Sequence, residues 1–165
     1  MLRIHRTLSI AQTPQVVWNR LEDFPRMVSL LPNVTGWAMP DADHFTARLR
    51  GKLAWFPVSA VVSVAVVERV AFQRLRTEGD LRLGSDSSSR ASKLCLFGGD
   101  ANFGVDWHVA PAPSGGTTLR YALQISMDSK VEALIRGVVD SRIGTFEARF
   151  AAALGGASRR EAVAA

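Results

Sequence analysis

Residues 117–154 read TTLRYALQISMDSKVEALIRGVVDSRIGTFEARFAAAL, and this stretch decides the architecture. Up to Met127 it alternates. Leu119, Tyr121, Leu123, Ile125 and Met127 fall on one face, Thr118, Arg120, Ala122, Gln124 and Ser126 on the other. A period of two with one apolar face predicts a half-buried strand. At Asp128 the period changes. Val131, Leu134, Ile135, Val138, Val139, Ile143, Phe146, Phe150 and Leu154 recur at three- and four-residue spacing. That spacing predicts one long amphipathic helix, capped by Asp128 and stopped by Gly155-Gly156. Gly137 and Gly144 lie inside it, where glycine costs roughly 1 kcal/mol relative to alanine, so they are expected at points of close approach or of ligand room.

Upstream, the alternation continues. Phe103, Val105, Trp107 and Val109 face one way and Asn102, Gly104, Asp106 and His108 the other, with Pro111 to Gly116 as the turn into the next strand. In His44 to Trp55, the apolar set is Phe45, Ala47, Leu49, Gly51, Leu53 and Trp55, against His44, Thr46, Arg48, Arg50 and Lys52. Val58 to Val67 is β-branched almost throughout, which predicts a strand packed on both sides or near a sheet centre. Val34 to Met39 and Phe72 to Glu78 read as further strands. Asp80 to Asp100 holds five serines between Ser85 and Ser92 and shows no sustained period, so a mobile loop beside a cavity entrance is expected there. At the start, Leu2 to Ile10 is a strand, Thr13-Pro14 opens a short helix carrying Val16, Val17, Trp18 and Leu21, and Pro25 opens a second through Leu31.

The chain of 165 residues is the size of one domain, here 1–154 with a short flexible tail, 155–165. With 47% apolar and 21% charged residues it can build a core without staples. The single cysteine, Cys95, excludes an intramolecular disulfide and a cysteine-based zinc site, and its LCLF setting is that of a small hydrophobe. No apolar run reaches signal-peptide or membrane-spanning length, so a cytoplasmic protein is expected. The net charge of +5 is mostly arginine and scattered. Arg48, Arg50 and Lys52 form only a short stripe, so nucleic acid is not an expected partner.

The three histidines, His5, His44 and His108, fall on different strands without metal-ligand spacing, and no metal is expected. Phosphate-binding, dinucleotide-binding and nucleophile-elbow motifs are absent.

The order of strand, two short helices, a run of strands and one long helix resembles the START-like superfamily, also called SRPBCC or Bet v 1-like. The resemblance covers residues 2–154. It rests on TPQVVW followed by LEDF, on LLPNVTGW, on the Gly115-Gly116-Thr117 turn of GGTTLRYALQISM, and on VVDSRIGTFEARF. Two branches share these features. One is the CoxG-like branch, associated with carbon monoxide dehydrogenase; the other is the polyketide cyclase/dehydrase branch with its coenzyme Q-binding proteins. The resemblance implies an α+β helix-grip fold: a curved antiparallel sheet around a long C-terminal helix, two short helices after the first strand, and a cavity between sheet and helix.

If the apolar faces point inward, that cavity is lined by Phe45, Leu49, Leu53, Trp55, Phe103, Val105, Trp107, Leu119, Tyr121, Leu123, Ile135 and Val138. Its polar candidates are Tyr121, Ser59, Ser63 and Arg142, the last beside the buried helix face. No paired carboxylate is visible on the inner face, and no catalytic residue is assigned. The expected function is binding or carriage of a hydrophobic small molecule or lipid, quinone- or polyketide-like, with no cofactor beyond such a ligand. The alternatives are a cyclase or dehydratase with Tyr121 and Arg142 as polar participants, and an interaction module for a partner oxidoreductase. A partner protein or a peripheral membrane contact would accompany the latter.

Overall fold

The inward positions of the first strand are Leu2, Ile4, Leu8 and Ile10, all buried, and they set the apolar face of β1 (Leu2–Ile10). The computed structural model describes residues 1–31, 33–53, 56–84, 100–155 and 159–160, with side chains for all of these except 52–53, 56–58, 83–84, 129–131, 133–135, 138–142 and 159–160. After β1, Thr13 stands extended before α1 (Pro14–Leu21), where a first-turn proline forfeits no helical hydrogen bond. Asp23 caps α2 (Phe24–Ser29), its carboxylate accepting from the Arg26 backbone N–H at 3.2 Å. The strands β2 (Val34–Ala38), β3 (His44–Leu53), β4 (Phe56–Val70), β5 (Arg74–Gly84), β6 (Asp100–Pro111) and β7 (Thr117–Ser126) follow. Then come α3 (Ser129–Ala153) and the two-residue β8 (Arg159–Arg160).

All described strands join one antiparallel sheet in the order β2-β3-β4-β5-β6-β7-β1-β8. Consecutive strands are neighbours from β2 to β7, and β1 closes against β7. The fold is α+β, a curved sheet gripping a C-terminal helix, as the order of periods in the sequence predicts. Registers place side chains of one face in rungs across it. Arg6, Tyr121, Trp107 and Leu75 form one rung; Ile4, Leu123, Val105, Thr77 and Val66 form the next; Leu2, Ile125, Phe103, Gly79, Val64 and Phe45 a third.

One end of this grip is closed. Leu8, Ile10, Val17, Trp18, Leu21, Leu119, Phe150 and Leu154 are buried together, so α1, the end of α3 and the β1–β7 pair share one core. Phe24 of α2 stacks on Phe45 with ring centroids 5.4 Å apart. At this end Arg69 bridges Glu22 at 2.8 Å and Asp43 at 3.0 Å, linking the end of α1 and the start of β3 to β4.

Several expectations change. β5 runs on to Gly84 and β6 starts at Asp100, so the ends of the serine-rich segment are strand; residues 85–99, Cys95 among them, lie outside the described residues. β4 is not packed on both sides. Val61 and Val67 are exposed while Val64 is buried, because composition reports β propensity and not which face is covered. Gly137 is exposed on α3, with nothing within 4 Å of where a Cβ would stand, so no close approach occurs there. Of the tail, only Gly155 and the β8 residues are described. No described helix is long and apolar enough to cross a membrane.

Candidate functional site

Above the closed end, the same concave face stays partly open. Phe45, Leu49, Phe103, Val105, Trp107, Leu123 and Ile125 are half-buried, as are Ile143 and Phe146 on the facing side of α3. Alternation puts each of the strand residues inward, and the rungs set them side by side. Phe103 has room because its rung partner is a glycine. A Cβ on Gly79 would stand 2.6 Å from Phe103 Cζ and would also collide with the Ser63 carbonyl, so the ring occupies the space that a side chain at 79 would take.

Trp107 is the centre of the aromatic surface. Its ring lies 5.1 Å from Tyr121 and 5.0 Å from Phe150, which in turn stacks on Phe146 at 5.8 Å. Offset aromatic contacts of this kind hold ring planes in fixed orientations.

Beside Trp107 the face turns polar. Tyr121 and Glu147 are both buried, and the Tyr121 hydroxyl donates to Glu147 Oε1 at 2.6 Å. Arg6, inward on β1 in register with Tyr121, brings Nε to 3.3 Å from the same oxygen, and its side chain remains about half exposed. Burial, the hydrogen bond to Glu147 and the charge of that carboxylate push the Tyr121 phenol far above its ordinary range. Tyr121 is therefore a fixed proton donor to Glu147 and not a phenolate.

Not every residue expected in the lining stands at an open surface. Phe45, Leu49, Phe103, Val105, Trp107 and Leu123 share the half-open face. Leu119 is wholly buried in the closed core, one rung too deep to meet a ligand. Leu49 also borders a groove of about 450 Å³ at the β2 edge, together with Gly36, Arg48 and Ala60. Ser59 and Ser63 point to the other side of the sheet, since they pair with Arg50 and Thr46 while Phe45 and Val64 point inward. Leu53, Trp55, Ile135, Val138 and Arg142 have side chains outside the described residues.

Glu147 and Arg6 are the residues that sequence reading missed. Both carried a signal: Glu147 falls between Ile143, Phe146 and Phe150 on the apolar helix stripe, and Arg6 shares the phase of Leu2, Ile4, Leu8 and Ile10. A charge at an apolar phase marks a buried or rim-bound ion pair.

Charge on the opposite face is ordinary surface pairing. Arg74 contacts Asp106 through Nε at 2.9 Å and Nη2 at 2.6 Å, and this guanidinium holds the Asp106 carboxyl below its usual range. His108 lies 3.3 Å from Asp106, and His44 pairs with Asp41. Among the described residues, no three potential metal-binding side chains come together.

A concave antiparallel sheet closed by a C-terminal helix, with an apolar inner face, defines a Bet v 1-like helix-grip protein of the SRPBCC class. Solved structures agree across nearly the whole length. A conserved protein from Geobacillus kaustophilus matches at a TM-score of 0.73, with 15% identity, over 93% of this chain and 95% of that one. Ara h 8.0201 matches at 0.58 with 8% identity, over 93% and 97%. The Zhui aromatase/cyclase from Streptomyces sp. R1128 matches at 0.57 with 10% identity, over 92% and 93%. No protein-family model matches the chain, and no curated protein matches it by sequence. The likeness is therefore one of fold.

Proposed function

We propose that the concave face between the sheet and α3 binds an apolar, ring-bearing small molecule, quinone- or polyketide-like, and carries it without chemical change. One observation supports this above others: apolar side chains from β3, β6, β7 and α3 face inward yet remain half-buried. Large inward side chains in a filled core are normally covered, as Leu8, Leu119 and Phe150 are at the closed end. An aromatic-rich lining with one polar cluster is how pockets for apolar ligands are usually built. Burying ~300–400 Å² of ligand at ~25 cal/mol per Å² gives a gross ~8–10 kcal/mol. Association and ordering offset several of these, so micromolar binding is expected. Such a carrier works in the cytoplasm and needs no resident cofactor.

Titration with a panel of naphthoquinones, fatty acids and aromatic polyketides tests the reading. A ring ligand should quench tryptophan fluorescence and raise the melting temperature, and Trp107→Leu should remove most of the quenching. If no member of the panel does either, the carrier reading fails and an interaction module with a filled core replaces it.

A second reading, a cyclase- or dehydratase-type enzyme, is favoured by Glu147, a buried carboxylate hydrogen-bonded to a tyrosine beside the aromatic surface. General acid–base chemistry needs such a group within reach of the substrate. Turnover of a bound polyketide that is lost in Glu147→Gln would favour the enzyme.

A further inference from the structure

Inward positions along β1, β7 and β6 are apolar apart from Arg6, Tyr121 and, at the closed end, Thr117, whose hydroxyl donates to the Gln12 carbonyl at 2.7 Å. Arg6, Tyr121 and Glu147 thus concentrate the polarity of this part of the face at one rung. How their protons are arranged decides which ligands the rung can welcome.

The Tyr121 proton is directed at Glu147 Oε1, so the tyrosine oxygen keeps its lone pairs for another donor. The carboxylate only accepts. Arg6 commits Nε to that carboxylate and Nη1 to the His5 carbonyl at 3.0 Å. Reversing the tyrosine would deprive the buried carboxylate of this donor, which costs more than a weak hydrogen bond returns. Beside Trp107, an incoming ring therefore meets acceptors.

We propose that the ligand carries a ring hydroxyl that donates to the Tyr121 oxygen, so that the site selects hydroxylated, reduced rings over their carbonyl counterparts. The proposal rests on the reading that this face binds a ring ligand. A hydroxyl gains a hydrogen bond to the tyrosine oxygen. A quinone carbonyl sets lone pair against lone pair, and a methyl ether leaves the acceptor unsatisfied. Sites built to pair with a ligand O–H reject analogues that lack it for this reason.

Calorimetric titration of the full chain with 1-naphthol, 1-methoxynaphthalene and 1,4-naphthoquinone provides the test. Wild-type protein should bind 1-naphthol roughly tenfold more tightly than the other two, as one desolvated hydrogen bond implies. Tyr121→Phe should bring the preference below about twofold while binding of 1-methoxynaphthalene persists. Glu147→Gln, whose amide can donate to the tyrosine and free its proton for a ligand carbonyl, should narrow the preference as well; it decides the matter if Tyr121→Phe does not fold. Equal wild-type affinities for the three rings overturn the hydroxyl proposal and leave the carrier reading standing. Absence of binding by all three overturns both. A preference that survives in both variants shows that another group recognises the hydroxyl and overturns the assignment to Tyr121.

Discussion

Tyr121 and Glu147 meet across the sheet–helix interface, β7 hydroxyl to α3 carboxylate at 2.6 Å, with both residues buried. The pair ties the middle of α3 to the sheet at the rung where the closed core ends and the half-open face begins. Structure and site share that contact.

Removing the hydroxyl takes a donor from a buried carboxylate. Tyr121→Phe is expected to cost about 1–3 kcal/mol of unfolding free energy. Urea denaturation monitored by circular dichroism measures it. A cost indistinguishable from zero would mean that water replaces the hydroxyl and that the pair does not clamp α3.

Tyr121 is the chain's single tyrosine, so tyrosinate absorbance reports it alone. Its folded pKa is raised by burial first and by Glu147 second. The folded state then holds the proton more tightly than the unfolded chain does. The stability this brings is fully present below the unfolded value of about 10 and is lost as pH rises beyond it. On alkaline titration, tyrosinate should appear only together with unfolding. Ionisation near pH 10 with native circular dichroism intact would contradict the buried geometry.

Asp106 gives the opposite sign. Its pKa is lowered chiefly by the hydrogen-bonded Arg74 guanidinium. The contribution is present above the ordinary carboxylate range, near pH 4, and is lost as pH falls through the lowered folded value. Arg74→Met should move the Asp106 titration upward in carbon-detected NMR. Because the pair sits at the surface, salt should weaken the effect.

Gly79 makes a close approach on the concave face that no side chain could share. Gly79→Ala should destabilise by about 2 kcal/mol, since the Ser63 carbonyl is backbone and only Phe103 can yield. Thermal melts measure the loss. The double change Gly79→Ala with Phe103→Leu should recover part of it, and a lack of recovery would place the clash at the backbone.

Two glycines of the helix region should respond in opposite directions. Gly137→Ala, exposed with open space around it, is expected to stabilise by about 1 kcal/mol. Gly155 has φ +89° and contacts Arg20 and Gln12, so Gly155→Ala should destabilise at the end of α3. Melting temperatures of the two variants check both signs.

From sequence alone, the alternations in 44–53, 102–109 and 118–126 determined which side chains share a face, and the three-four spacing after Asp128 determined the helix that covers it. A strand has only two faces and a helix only one apolar stripe, so periodicity carries that information locally. The resemblance named the grip. Register and depth were decided only by the tertiary structure. Nothing local distinguishes Leu119, sealed beneath α1 and the end of α3, from Leu123, two rungs away and half open. Ser59 and Ser63 read as inward candidates until pairing with β3 put them opposite Arg50 and Thr46. Arg6 and Glu147 are 141 positions apart in the chain, and their contact exists only because β1 pairs with β7 while α3 crosses over both. A buried charge is tolerable only where its partner arrives, and the partner's arrival is a property of the whole fold.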